Sequence, residues 1–422
     1  MSKHVVVIGG GVIGLSTAYY AAQRGHRVTV VERNAAESEG CSFGNAGLIV
    51  PSHVVPLAAP GMIGLGMRWM LDSESPFFIQ PRFDRDLIDW SWKFKSKCTT
   101  SHVDDCAPLL RDLHLASHAL FRKLAAGCEN EFGLVEKGVV MLCATEAGLE
   151  EEIHAARRAR DLGMPAEVLT PRELEMLEPA IAMTVTGGVL YPSDAHVVPS
   201  RFMRSMQRRL GDAGVEIRWS SNVTGWTKRA DGIASVRTTQ GDVAGDEFVV
   251  CGGSWSPDIV RDLGLRLPMQ AGKGYSLTLQ SPKQKPERGL ILSEARIAVT
   301  PMGETLRVGG TMEIAGLNEQ INPSRIRGIV KSVPRYLPEF PASTFEGVEP
   351  WSGLRPCSPD GLPYIGRFSR FDNLIAATGH AMMGLSLGPI TGELVAQMIS
   401  GDECHMDKLS PDRFARGRKE AR

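Results

Sequence analysis

The chain opens on a short apolar run, Val5-Val6-Val7-Ile8, stopped at once by Gly9. A β-branched run with no polar alternation predicts a strand buried on both faces. Residues 15–24 then show helical spacing, Gly25 ends them, and Val28-Thr29-Val30-Val31 predicts a second strand. Residues 85–160 read as mostly helical, with apolar positions every three or four residues over 109–125 and 150–162. A helix is predicted from about 200 to 213, ended by Gly214 and followed by a strand at Val215-Glu216-Ile217-Arg218-Trp219. Over residues 263–349 the pattern turns to alternation. Tyr275-Ser276-Leu277-Thr278-Leu279 and Leu306-Arg307-Val308-Gly309-Gly310-Thr311-Met312 predict antiparallel strands with a sheet of their own. Leu374-Ile375-Ala376-Ala377-Thr378 predicts a closing strand, and residues 389–400 a last helix. There is no internal repeat.

Composition narrows the class. A length of 422 residues suggests two or three domains. Lys and Arg total 47 against 48 Asp and Glu, a net charge of −1, which excludes a polyanion binder and hence a nucleic-acid partner. Apolar residues are 43% and charged residues 23%, the profile of a soluble globular chain. None of the eight cysteines forms a C-x-x-C pair, so no zinc ribbon or other metal site is expected, and scattered cysteines suit a reducing compartment. The first apolar run is too short for a signal-peptide core, and no stretch reaches 18 apolar residues. Residues 54–71 come closest, broken by Pro56, Pro60 and Arg68; a buried or lid-like loop is favoured over contact with a membrane surface. The expected location is cytoplasmic, or peripheral on the cytoplasmic face of the membrane.

The glycines carry the first chemistry. Gly9-Gly10-Gly11-Val12-Ile13-Gly14 follows the first strand and opens the first helix, a G-x-G-x-x-G in a βαβ unit. Gly9 permits the tight turn, Gly11 lets backbone approach a pyrophosphate, and Gly14 lets helix and strand pack closely. The helix N-terminus offers unpaired N–H groups to phosphate. Glu32 closes the second strand, 21 residues after Gly11, where a carboxylate accepts hydrogen bonds from ribose hydroxyls. The unit binds a dinucleotide; by itself it leaves FAD and NAD open.

Directly after the acid comes a second small-residue loop, Cys41-Ser42-Phe43-Gly44-Asn45-Ala46-Gly47-Leu48. With it the sequence resembles the D-amino-acid oxidase / glycine oxidase superfamily of FAD-dependent oxidoreductases, and within it the D-amino-acid dehydrogenases. The resemblance implies an α/β fold: a Rossmann-like FAD-binding domain (1–56, 146–262, 350–422) interleaved with an α+β substrate domain holding a mainly antiparallel sheet (57–145, 263–349). It implies non-covalent FAD held by Gly9, Gly10, Gly11, Val12, Ile13, Gly14, Glu32 and Arg33, with Cys41, Ser42, Asn45, Ala46, Gly47 and Leu48 over the ribityl chain. Val223 matches a position whose backbone holds adenine. Gly252, Gly253 and Trp255 lie in a segment, Asp246 to Ser256, that resembles the family's strand–Gly–x–Trp-Ser turn. Gly379, Met382, Met383, Gly384, Leu385 and Ser386 would bring a helix N-terminus to the flavin. Met382 stands where some glycine oxidases carry Arg, which speaks against glycine as substrate.

Trp351-Ser352-Gly353-Leu354-Arg355-Pro356 matches the family's Trp-x-Gly-x-Arg-Pro segment, which implies that Arg355 binds the substrate carboxylate; a guanidinium fork suits that task. Met312 matches a position beside the substrate, Tyr275 is an active-site phenol candidate, and His380 a hydrogen-bonding group near the ring. Lys273 is either a group that assists O₂ or a surface lysine. Cys357 does not fit the placement of a flavin-linking cysteine. The pair His114 and His118 reads as ordinary histidines, not metal ligands. The implied reaction is oxidation of an amino acid of D configuration to the imine and 2-oxo acid by hydride transfer to flavin N5, with a quinone or another acceptor taking the electrons. The alternatives are oxidation of a secondary amine (proline, hydroxyproline, sarcosine) or glycine with O₂, or a non-catalytic FAD-binding subunit of a dehydrogenase complex.

Overall fold

The structure, a computed structural model, describes residues 1–70, 72–404 and 406–415. Two sheets organise it. The first has six strands in the order Tyr364–Phe368, Phe371–Thr378, Glu247–Val250, His4–Ile8, Arg27–Val31, Glu216–Arg218. All neighbours pair parallel except the first two. The apolar run at 5–8 is buried on both faces. Val5 and Val7 face helices Val12–Gln23, Pro199–Asp212 and Gly384–Ser400, while Val6 and Ile8 pack with Trp226, Ile233 and Val236 of a three-stranded sheet. This explains why the run lacks alternation.

The second sheet has nine strands and is mainly antiparallel. Its order is Trp351–Cys357, Gln270–Leu279, Thr305–Ile314, Ile297–Met302, Gly289–Leu292, Val139–Cys143, Gly187–Tyr191, Glu167–Leu169, with Phe77–Ile79 pairing alongside Thr305–Ile314. One face carries Leu277, Val299, Val308 and Leu290 against Ile329, Val333 and Tyr336. The opposite face lines a cavity. The α/β fold with interleaved sheets therefore stands. The assignment of particular strands needs correction: Glu167–Leu169, Gly187–Tyr191 and Trp351–Cys357, placed by sequence in the nucleotide unit, pair in the nine-stranded sheet. Short apolar runs announce a strand but not which sheet receives it.

Local readings shift modestly. The helical pattern at 109–125 is the C-terminal part of a longer helix, Thr100–Ala126. The last helix begins at Gly384, ahead of Pro389, which sits inside it rather than at its start. Within 54–71, Met62–Trp69 is a short helix, Val54, Met62 and Trp69 line the cavity, and Leu71 lies outside the described residues.

Candidate active site

The cavity between the sheets measures about 1120 Å³. Its first wall is the glycine turn. Gly9 adopts φ +114°, and a Cβ there would stand 2.4 Å from the Cys251 carbonyl oxygen. A Cβ on Gly14 would stand 1.8 Å from the Gly9 carbonyl oxygen, so helix and turn touch through backbone. Gly11 differs: a Cβ there would meet only the Ser42 hydroxyl, at 3.5 Å. Gly14 thus closes the fold, and Gly11 opens space in front of the helix. Glu32 accepts from the N–H groups of Gly10, at 2.6 Å, and Asn34, at 2.9 Å, which fixes its carboxylate at the cavity wall. Arg33 lies over the Trp255 ring at 3.5 Å, joining two cofactor candidates from distant segments. Val12, Ile13, Val223, Gly252 and Gly253 complete this end.

The second loop is tied from both sides. The Ser42 hydroxyl accepts from the Val12 N–H at 3.0 Å. Arg307 donates through Nη1 to the carbonyls of Phe43 and Asn45, at 2.9 and 2.8 Å. The Trp351 ring lies where a Cβ on Gly44 would be, within 2.2 Å, so only glycine fits beneath it. Cys41, Ser42, Asn45, Ala46 and Leu48 line the cavity. Gly47 does not; it packs against the Val197 carbonyl with φ +78°. At the other edge Met382, Met383, Gly384 and Leu385 line it, with Met382 half exposed. Gly379 packs on Tyr364, and the Ser386 hydroxyl accepts from the Val50 N–H, so these two act as supports behind the wall.

Arg355 lies flat across Gly274, where a Cβ would meet Nη2 at 2.1 Å. Its Nη1 donates to the Thr311 carbonyl at 2.6 Å. Thr311 sits at a bulge in the pairing with Gln270–Leu279 and has φ +66°. Among the described residues no carboxylate pairs with Arg355, and burial lowers its affinity for a proton. A guanidinium left without a counter-ion at a cavity wall is a site for an anion. Met312 stands beside it, its sulfur 3.4 Å from where a Cβ on Gly272 would be.

Tyr275 and His380 also border the cavity, but each side chain is held by a protein partner. Tyr275 projects from the opposite face of its strand into the apolar core, and its hydroxyl donates to Glu313. Strand alternation causes this: Gly274 faces Arg355, so its neighbour cannot. Lys273 shares that far face. It is buried, donates to the Gln320 carbonyl at 2.7 Å and lies 3.4 Å from Glu313, so it is neither a surface lysine nor in reach of the cavity. The His380 ring is buried at the cavity wall, with Nε2 bonded to the Thr391 hydroxyl at 3.0 Å and Nδ1 without a hydrogen-bond partner among the described residues. Cys357 is buried outside the cavity lining, its thiol pushed up to about 12. The two helix histidines diverge: His114 meets the Ser386 hydroxyl at 2.9 Å and the Met383 sulfur, while His118 lies 2.9 Å from Glu136.

Sequence reading missed one group. His53 lines the cavity; its Nδ1 is 3.2 Å from the Ser52 hydroxyl. Ser52 in turn donates through Oγ, at 2.5 Å, and N–H, at 3.0 Å, to Asp194, which is fully buried. No motif flags these residues, because 142 positions separate Ser52 from Asp194.

The residues fit FAD. The glycine turn, the fixed Glu32 carboxylate and the slot at Gly11 take a dinucleotide, and the second loop walls a volume too large for that half alone. Geometry therefore defines a dinucleotide-binding protein, and the chain belongs to the FAD-dependent oxidoreductase family, which it matches over residues 4–398. It is 30% identical over 421 residues to a D-amino acid dehydrogenase of Allorhizobium ampelinum (98% of this chain, 99% of that one), and 31% identical to one of Granulibacter bethesdensis (96% and 97%). A solved glycine oxidase from Bacillus cereus superposes with TM-score 0.74 at 25% identity, covering 96% of each chain. The chain is an enzyme, and its cofactor is FAD.

Proposed function

We propose that the enzyme oxidises an amino acid of D configuration to the imine, which water hydrolyses to a 2-oxo acid and ammonia. The carrying observation is Arg355, a half-buried guanidinium with no carboxylate partner among the described residues, facing the cavity. Relatives named D-amino acid dehydrogenase, similar over nearly the whole chain, support the substrate class. FAD, when bound, supplies the hydride acceptor. Gly9, Gly10, Gly11, Glu32 and the 41–48 loop would hold it. Arg355 grips the carboxylate, the absent Gly274 side chain leaves room for the fork, and Met312 gives an apolar wall. These residues work by orientation and exclusion of water.

The proposed acceptor is a quinone. Among the described residues no helix is long and apolar enough to cross a membrane. Phe83, Ile88 and Trp92 are exposed on and before helix Arg85–Lys97, beside Lys93, Lys95 and Lys97, a pattern suited to peripheral contact with an anionic bilayer. The test is anaerobic mixing of the yellow holoenzyme with D- and L-amino acids, proline, sarcosine and glycine, then reoxidation by a quinone analogue or by O₂. Bleaching by D-amino acids and fast quinone reoxidation are expected. Bleaching only by secondary amines or glycine would overturn the substrate class, and no bleaching would defeat the reading.

A further inference from the structure

Arg355 gives the substrate one anchor. A second polar group lines the same cavity, with a fixed orientation. Asp194 lies at the end of a turn whose N–H bonds to the Tyr191 carbonyl, and it is fully buried. Both its carboxylate oxygens are satisfied by Ser52, one by the N–H and one by the hydroxyl. A hydroxyl has one proton, so the Ser52 oxygen that donates to Asp194 can only accept from its other neighbour. That neighbour is Nδ1 of His53, at 3.2 Å. Where Asp194 is ionised, above about pH 7, the proton of the neutral ring is therefore on Nδ1, and the Nε2 lone pair is left to the cavity. The backbone holds this segment in place: the His53 N–H bonds the Val50 carbonyl, and the Val50 N–H bonds Ser386 at the start of the last helix. The charged and titratable groups acting on His53 are Arg296, whose charge opposes a second cation, and neutral, buried His114. With burial they hold the ring neutral, down to about 4.

We infer that His53 is the second substrate anchor: its Nε2 accepts a hydrogen bond from the substrate amino group, with Ser52 and Asp194 as positioning residues that set the tautomer. This rests on the amino-acid reading. A carboxylate at Arg355 and an amine at Nε2 fix two substituents of the Cα, so only one configuration at that carbon keeps its hydrogen on a given side. The chemistry recognised is an α-amine, whether ammonium or free base, since each carries N–H donors.

The test uses the holoenzyme, with two ligands followed by the flavin spectrum: the best amino-acid substrate and the same acid lacking its amine. H53F keeps the ring's bulk and loses the acceptor. It should lower kcat/KM for the amino acid about tenfold to a hundredfold, and shift binding of the des-amino acid by less than about twofold. H53Q, which restores an acceptor, should recover part of the loss. D194N is the positioning variant. Its amide would donate to Ser52, turning the serine proton towards His53 and Nε2–H towards the cavity. D194N should thus weaken the amino acid while leaving the des-amino acid alone, yet unfold at a higher temperature than the parent above pH 7. A merely structural role would not move those readouts in opposite directions. Unchanged amino-acid kinetics in D194N, or equal losses for both ligands in H53F, would overturn the inference; if H53F does not retain flavin, D194N decides. A wild-type flavin that no amino acid bleaches sinks the underlying reading and this one with it, whereas an active wild type with an indifferent D194N sinks this one alone.

Discussion

The carbonyl oxygen of Thr311 lies 2.6 Å from Nη1 of Arg355, and Thr311 holds φ +66° to put it there. A β-branched residue in the left-handed region is strained by about 1 kcal/mol or more. The bulge therefore has a use: it turns one carbonyl out of the sheet ladder and steers the guanidinium so that its other nitrogens face the cavity.

Arg355→Lys should accordingly fail almost as badly as Arg355→Ala. A lysine supplies charge but cannot bond Thr311 and fork a carboxylate together. Both variants should lose roughly a hundredfold or more in kcat/KM, mainly through KM. Steady-state kinetics with an artificial dye reads this; full activity in Arg355→Lys would show that the fork is not needed.

Two glycines of one motif should behave oppositely. Gly14→Ala puts a methyl group 1.8 Å from a backbone oxygen, so the protein should misfold or melt far below the parent. Gly11→Ala has φ −74° and only a hydroxyl at 3.5 Å, so the chain should fold within about 1 kcal/mol of the parent. Yet its methyl projects where a pyrophosphate would approach, and the purified protein should be colourless. Flavin content and thermal melts separate the two.

Asp360 is buried and accepts from Nε and Nη2 of Arg413, at 2.7 and 2.9 Å, while that guanidinium lies 3.9 Å over the Tyr364 ring. Arg413→Ala would leave a buried carboxylate unpaired and should cost about 3 kcal/mol. Asp360→Asn together with Arg413→Ala should restore much of it. Denaturant midpoints of the single and double variants measure the difference.

Unfolding should take up protons in mild acid. Burial lowers His53 and His196 to about 4, and His114 and His380 to about 3, against 6.5 in an open chain. Their stabilising contribution is complete above 6.5 and is lost as pH falls through the folded values, about 1.4 kcal/mol per ring per pH unit. Asp194 has the reverse sign. Burial raises it to about 7, so its contribution is present below 3.8 and lost as pH rises through 7. At pH 5 these five groups should take up about three protons on unfolding, and D194N should take up one more. The slope of melting temperature against pH reports both.

Much of this was legible in the residues. A motif readable from sequence is one whose chemistry lies in backbone freedom over a short stretch, as at Gly9 to Gly14, or in one side chain among rigid neighbours, as at Arg355. What sequence could not give was direction. Tyr275 and Gly274 are adjacent, and only the pleat decides which of them meets Arg355. Nor could sequence show that Thr391 holds one nitrogen of His380 while the other is left without a partner at the cavity wall. His53 stayed hidden because its partner is a distant aspartate, and no spacing rule links a turn at 52 to another at 194.

Arg307 belongs to the nine-stranded sheet but carries the loop at 43–45, and Trp351 closes over the same loop from the next wall. The half that grips the nucleotide and the half that selects the substrate are thus not interchangeable parts. Transplanting a foreign sheet to change specificity would strip the loop of its bearings unless Arg307, Trp351 and Gly44 travelled with it. The natural unit for re-engineering is the cavity with both of its walls.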